Sequence, residues 1–344
     1  MLAWVEELAF LMWLLLLRVG SWLWPMEVQH QWTSTTALLL VRLPQGSVDA
    51  SLRLLHITDA HVSEGQLEPW ERAHAERMHN AFREVRLPVN GSVGRPISVF
   101  RELIDLAGTA EAELVALGGD IVNFPHKATS AWTASMLSAS LRRQDGATIP
   151  YVYTAGNHDW FYEGLSGSQT ELRQEWRRTA LQPLYDGSAA HAPWQSHDFG
   201  ALEVGGILVL TVDNSLHQVT FEQLTFLRTQ LLRWLPTVLL LHVPLSVNDS
   251  LRPFQGYALC GDPAWGESTD RSWRDERRAR WPKEGNSRPT ELFLEAVLAA
   301  AAPRGPLLAV LAGHVHAHAA TPFGAWRRDG GSGGAVDHTV GAVG

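Results

Sequence analysis

Five apolar runs in this chain each give out into a short block of Gly, Asp, Asn and His. Leu52–Ile57 leads to Asp59-Ala60-His61, and Leu114–Leu117 to Gly118-Gly119-Asp120. Tyr151–Tyr153 leads to Gly156-Asn157-His158-Asp159, and Val238–Leu241 to His242-Val243-Pro244. Leu307–Leu311 leads to Gly313-His314-Val315-His316. Runs of Val, Ile and Leu without polar alternation are expected of strands covered on both faces. In open α/β sheets ligands bind beyond the carboxyl ends of such strands. The pattern therefore predicts five strand ends converging on a cluster of oxygen and imidazole donors, with no thiolate. Such a set suits hard or borderline divalent metals.

The remaining chain alternates in the same way. Helical spacing is expected over Ile97–Ala107, Ala131–Leu141, Gln169–Leu181, Phe221–Trp234 and Glu291–Ala302, with a further strand at Ile207–Val212. Thr36–Leu43 reads as an edge strand placed before the catalytic sheet. Strands alternating with helices argue an α/β fold with helices on both sheet faces. At 344 residues, 45% apolar and 19% charged, the chain has enough for a sizeable core. Two long insertions, 62–96 and 245–289, interrupt the alternation, and long loops in compact domains are usually functional. The second carries Trp265, Trp273 and Trp281 with Arg271, Arg274, Arg277, Arg278, Arg280 and Lys283, a composition that suits either a lid over an anion or a solvated helix.

Residues 1–26 hold ten consecutive apolar residues, Leu8–Leu17, ended by Arg18. A run of that length is short for a span and suits a signal core, an interfacial anchor or a helix packed on the domain. The expected organisation is this leader, an N-terminal strand region at 27–50, the main domain at 51–326 and a Gly-rich tail at 327–344. A net charge of -8 gives no electrostatic case for nucleic acid. The lone Cys260 rules out an internal disulfide. Compartment is left open between the cytoplasm and a membrane-associated or secretory route.

In order and spelling the five blocks resemble the calcineurin-like metallophosphoesterase superfamily, whose signature is D-x-H, G-D, G-N-H-D/E, H and G-H-x-H. The resemblance runs from Leu52 to His316 and lacks no signature position. One D-x-H alone carries little; five blocks in order carry much more. The resemblance implies a four-layer α-β-β-α sandwich, which the pattern of elements alone does not give. It implies two divalent ions, with Mn, Fe or Zn the expected metals. Asp59, His61 and His316 would hold one, Asn157, His242 and His314 the other, and Asp120 would bridge them. A hydroxide shared by the metals would then attack a phosphate ester, whether monoester, diester or nucleotide. His158 would protonate the leaving oxygen, with Asn123 and Asp159 behind the ligands.

Two departures narrow the branch. Purple acid phosphatases carry a tyrosinate three residues after the bridging aspartate, where this chain has Asn123. Serine/threonine protein phosphatases carry G-D-x-V-D-R-G, and here the sequence is Gly119-Asp120-Ile121-Val122-Asn123-Phe124-Pro125. Both branches are expected to be excluded, leaving phosphorylated small molecules as substrates. Asn123 is expected to accept a hydrogen bond from His158. Asp213-Asn214-Ser215 ends another strand and is expected to shape the site floor or cap the Phe221–Trp234 helix. The alternatives in other classes are a catalytically silent metal-binding scaffold and an adaptor tethered to a membrane through the leader.

Overall fold

Successive residues of Leu114–Leu117 point into different cores, and that alternation sets the architecture. Leu114 and Ala116 pack with Val152, Val209 and Leu240, whereas Val115 and Leu117 pack with Phe100, Ile104 and Leu137. All four residues are buried, as a strand sandwiched between layers requires.

The computed structural model describes residues 2–23, 27–32, 37–42, 51–63, 69, 72, 85–86, 93–161, 168–191, 197–245, 259–267, 285–302, 304–316, 318–322 and 336–340. Its strands are β1 (Glu27–Trp32), β2 (Ala37–Arg42), β3 (Leu54–Ile57), β4 (Val85–Arg86), β5 (Val93–Gly94), β6 (Leu114–Leu117) and β7 (Tyr151–Tyr153). They continue with β8 (Phe199–Val204), β9 (Ile207–Val212), β10 (Thr237–Leu240), β11 (Leu307–Ala312), β12 (His318–Pro322) and β13 (Val336–Val340). The helices are α1 (Leu2–Leu23), α2 (Pro96–Thr109), α3 (Lys127–Ser140), α4 (Asn157–Trp160), α5 (Gln169–Trp176), α6 (Gln182–Asp186), α7 (Phe221–Leu231) and α8 (Arg288–Ala300).

Two sheets face each other. The smaller is wholly parallel, in the order β3-β6-β7. The larger runs β12-β13-β11-β10-β9-β8, parallel from β13 to β9, with antiparallel neighbours β12 and β8. Between the sheets lie Leu114, Ala116, Val152, Val209 and Leu240. Outside the larger sheet α1, α7 and α8 bury Trp13, Leu227 and Phe293 against Leu210 and Leu239. Outside the smaller sheet α2, α3 and α5 bury Phe100, Leu137 and Leu172 against Ile57 and Tyr153. Helix, sheet, sheet and helix make the four-layer sandwich that the motif resemblance implied.

The elements differ from the sequence expectation in four places. Ala37–Arg42 is a strand, but it pairs antiparallel with Glu27–Trp32 in a separate two-stranded sheet and not with either sheet of the sandwich. A partner a few residues away closes at lower entropic cost than a distant sheet edge. Gln169–Leu181 is not one regular helix: α5 stops at Trp176 and a π-helical turn, Arg177–Leu181, carries the chain into α6. The strand β8 was not expected. It forms a hairpin with β9 around Gly205 and Gly206, both at positive φ (57° and 74°), the geometry that two-residue hairpins favour. Finally, the tail expected at 327–344 as Gly-rich contributes a strand to the larger sheet. β13, from within the tail, pairs with β11, and β12 flanks it. The cationic part of the second insertion, 268–284, lies outside the described residues, as does most of the first.

Candidate metal centre

The five blocks meet because parallel pairing continues beyond the strands that lead into them. Asp59 N donates to Gly119 O at 3.0 Å, and His61 N to Asp120 O at 2.9 Å. Gly313 N donates to His242 O at 2.8 Å. These bonds set the first block beside the second and the fourth beside the fifth. Side chains link the two sheets at this point: the Asp59 carboxylate accepts His314 N at 3.0 Å from each of its oxygens, and His242 Nδ1 lies 2.9 Å from Gly118 O.

The backbone is strained where the donors sit. Asp59, His61, Asp120, His314 and His316 all have positive φ, between 46° and 70°. Non-glycine residues there cost energy and cluster at functional sites. The motif glycines answer a different need, close approach. A Cβ on Gly156 would lie 2.2 Å from Asp120 Oδ1, and one on Gly313 would lie 2.2 Å from Asp59 Oδ2.

Among the described residues, three groups have donor atoms within 4.8 Å of one another: Asp59, His61 and His316; His61, Asp120 and His158; Asp120, His242 and His314. The amide oxygen of Asn157 joins the last, 3.2 Å from His242 Nε2 and 3.0 Å from His314 Nδ1. His61 Nε2 and His316 Nε2 face each other at 3.2 Å. Asp59 and Asp120, the two carboxylates among them, are buried, and so are His61, Asn157 and His242. Buried carboxylates with converging imidazole nitrogens and no sulfur form a donor set that fits borderline divalent cations. All seven residues expected as ligands are thus brought together. His158 also comes within ligand distance of Asp120 and His61.

Electrostatics favour that fit. Burial raises the Asp59 carboxyl, but the hydrogen bond and charge of His316 outweigh it and bring its pKa down to about 2. Burial likewise opposes ionisation of Asp120, yet the charge of His242, then of His158, holds it well below the carboxylate range. Burial, then the charge of His158, pushes His61 well below its usual value. Burial depresses His158 too, against the pull of Asp120. His242 goes the other way: burial depresses it, but the Asp120 charge and hydrogen bond lift it to about 10. Asp59 and Asp120 as anions and His61 as neutral imidazole are in the states a metal requires, whereas His242, and His316 raised against its burial by the hydrogen bond and charge of Asp59, would release a proton as a metal binds.

Around the donors, Asp159 accepts three main-chain amides, from Gly156 at 2.7 Å and from Asp120 and Val122 at 2.9 Å each. It joins the turn after β6 to the turn after β7. Burial, then the nearby Asp120 charge, raises it to about 7 against the pull of the amides. Asn123 meets His158 as expected, but through its main-chain carbonyl, 3.2 Å from His158 Nδ1. A proton on Nδ1 for that bond leaves Nε2 as the other polar atom of the ring.

Sequence reasoning assigned no definite role to three neighbours. Asn214 Oδ1 accepts the amides of His242 at 3.1 Å and Val243 at 2.9 Å, while Nδ2 donates to Val243 O at 2.7 Å. It thus braces His242 and does not cap α7, whose N-cap is Thr220. Its place at the end of β9 was the available signal. Asp213 pairs with Arg177 at 2.6 Å and accepts Ser215 Oγ, which in turn receives Trp160 Nε1 at 2.8 Å. His217 is buried at φ 61° and set edge-on to His314, with ring centroids 5.0 Å apart. Trp265 stacks on His217 at 4.7 Å, so the second insertion does place an indole beside the site. Nothing in the sequence marked His217.

The sequence model of the calcineurin-like phosphoesterase family matches residues 52–318. No curated protein sequence matches the chain. Among solved structures, it is similar to a dimetal phosphatase from Danio rerio, at 12% identity and a TM-score of 0.45, covering 85% of this chain and 87% of that one. It is also similar to a purple acid phosphatase from yellow lupin (Lupinus luteus) seeds, at 15% identity and a TM-score of 0.44, covering 89% of this chain and 47% of the lupin chain.

Proposed function

Because this chain belongs to the calcineurin-like phosphoesterase family, we propose that it hydrolyses a phosphate ester at a centre of two divalent metals. The observation that carries this reading is the pair of donor groups on either side of Asp120. Asp59, His61 and His316 form one, and His242 and His314, joined by Asn157, form the other. Two ions held there would neutralise phosphoryl oxygens and make water a nucleophile near neutral pH.

The chain's own residues do the rest. Asp120, which has a carboxylate oxygen within 4.8 Å of donor atoms of His61 and of His242 and His314, would bridge the two groups. Asp159 fixes the two turns that present Asp120 and Asn157. His158, tied at Nδ1 to the Asn123 carbonyl, would use its other nitrogen to hold or deliver a proton at a leaving oxygen. Asn123 in place of a tyrosine supports a colourless centre outside the purple acid branch. The missing D-R-G sequence supports small phosphorylated molecules over phosphoproteins as substrates.

The test is turnover of a panel of phosphomonoesters, diesters and nucleotides by chelator-stripped protein reloaded with Mn²⁺, with metal content measured on the same sample. Two metals per chain and Mn²⁺-dependent turnover are expected. Two metals without turnover on any substrate would leave a silent scaffold as the better reading. A visible absorption band would contradict the branch assignment.

A further inference from the structure

Helix α1 is apolar on two faces, and the domain covers one of them. Phe10, Trp13 and Leu17 are buried in the core outside the larger sheet. Trp13 Nε1 donates to Arg228 O at 3.0 Å, and Arg228 Nη2 donates back to Ala9 O at 2.9 Å. The same guanidinium lies over the Phe10 and Trp13 rings, 5.3 and 5.4 Å from their centroids. This clamp fixes the helix side-on and determines which residues face away.

Those residues are Leu8, Leu11, Met12, Leu15, Leu16 and Val19, continued by Leu23, each between 47% and 62% exposed. Together they expose on the order of 600 Å², the upper end of the ~300–600 Å² usual for the largest patch on a monomer. Leu11 and Leu16, five residues apart, stand about 140° from each other around the axis. Arg18, seven residues after Leu11 and so about 20° from it, is exposed and is the one charged residue within 8–20 and 23, the helix positions whose side chains the structure describes.

We propose that this face docks the protein side-on on a phospholipid bilayer, with the aliphatic strip among the acyl chains and Arg18 at the phosphates. Two features favour lipid over a second copy of the chain. A helix-to-helix dimer covers a narrow a/d seam, and this arc is wider. A protein interface carries about one hydrogen bond per 100–200 Å², whereas the strip's described side chains offer only Arg18 at its border; hydrocarbon asks for none. The guanidinium is complementary to lipid phosphate, and its stem can lie along the apolar edge. Among the described residues no helix is long and apolar enough to cross a membrane. The arrangement is that of an interfacial helix lying in the headgroup plane. With a net charge of -8 on the chain, attachment rests on apolar contact, and zwitterionic lipid suffices. The proposal does not depend on the metal centre.

Flotation of the full chain with phosphatidylcholine vesicles tests it. The protein should rise with the vesicles, and its partitioning should change by less than ~3-fold between low and high salt, because few charges take part. The double variant Leu11→Glu, Leu15→Glu alters only exposed side chains and should lower partitioning by at least ~10²-fold. It should keep the near-UV circular dichroism that reports Trp13 packing. Wild-type protein that stays with the unbound fraction overturns the proposal, as does a double variant that floats equally well. If the wild type instead sediments as a dimer that the double variant abolishes, the strip serves a second copy and the lipid assignment fails.

Discussion

His158 and Asp120 meet through the main chain: the His158 amide donates to Asp120 Oδ1 at 2.8 Å, while Oδ2 lies 3.3 Å from His242 Nε2. One carboxylate thus holds the turn that carries the proposed acid and also faces a proposed ligand. Asp120→Asn removes the charge and should deplete both metals, not one, with activity falling by more than the ~10–100-fold typical of losing an outer partner. Elemental analysis of the purified variant checks this. Retention of two metals would show that Asp120 does not bridge.

His158→Ala leaves that amide in place, so the turn should survive. We expect metal content to hold while kcat drops by ~10²–10⁴, the scale for losing a general acid. An aryl phosphate, whose leaving oxygen needs little protonation, should suffer less than an alkyl phosphate. Because the ring also lies within ligand distance of Asp120 and His61, loss of a metal in this variant would reassign His158 from acid to ligand.

Asn214 makes three hydrogen bonds to the main chain of His242 and Val243. Asn214→Ala leaves those buried groups without their partner, costing ~1–3 kcal/mol of stability and loosening His242. Metal affinity should weaken by ~10–100-fold, and excess metal should restore turnover. Unfolding midpoints and metal titration separate the two effects. A variant that is destabilised but binds metal as tightly as wild type would limit Asn214 to packing.

The ring of His191 is buried against Tyr185, far from any proposed ligand in the sequence, and gives a pH signature. Burial, then the charges of His197 and Arg177, lowers its pKa to about 4. An unfolded histidine titrates near ~6.5. Between those values the unfolded chain binds more protons, so this group's contribution is complete above the unfolded pKa and is lost as pH falls toward about 4. Denaturant unfolding of the metal-free protein across that window should show stability rising with pH. In His191→Gln the slope should fall by up to ~1.4 kcal/mol per pH unit, one proton's worth. An unchanged slope would remove His191 as a source.

The parts legible in the sequence were those written locally. β6 is buried at all four positions, so its run of apolar residues could only be an interior strand, and the block after it had to lie at a strand end. β8 was not legible because Phe199-Gly200-Ala201-Leu202-Glu203-Val204 mixes small and charged residues, as an edge strand tolerates. The Gly205-Gly206 pair that closes its hairpin was the overlooked signal. β13 was hidden by the glycine tract before it, although Val336, Thr339 and Val340 are good strand formers. Asn214 was legible only as a strand end without a definite partner, and His217 not at all. Their partners stand 28 and 97 residues away in sequence, His242 and His314 respectively, and no local pattern encodes a contact across two strands.

The left-handed turns at Asp59, His61, Asp120, His314 and His316 bear on which side chains selection can use at these positions. Glutamate and cysteine coordinate divalent metals as readily as aspartate and histidine do. Apart from glycine, however, Asp, Asn and His are the residues that enter this conformation most easily. A replacement ligand must therefore satisfy the turn before it can satisfy the ion. The vocabulary of the site is narrower than coordination chemistry alone would allow. Among the proposed ligands, a choice of metal by redesign would be freest at Asn157 and His242, whose φ is not positive.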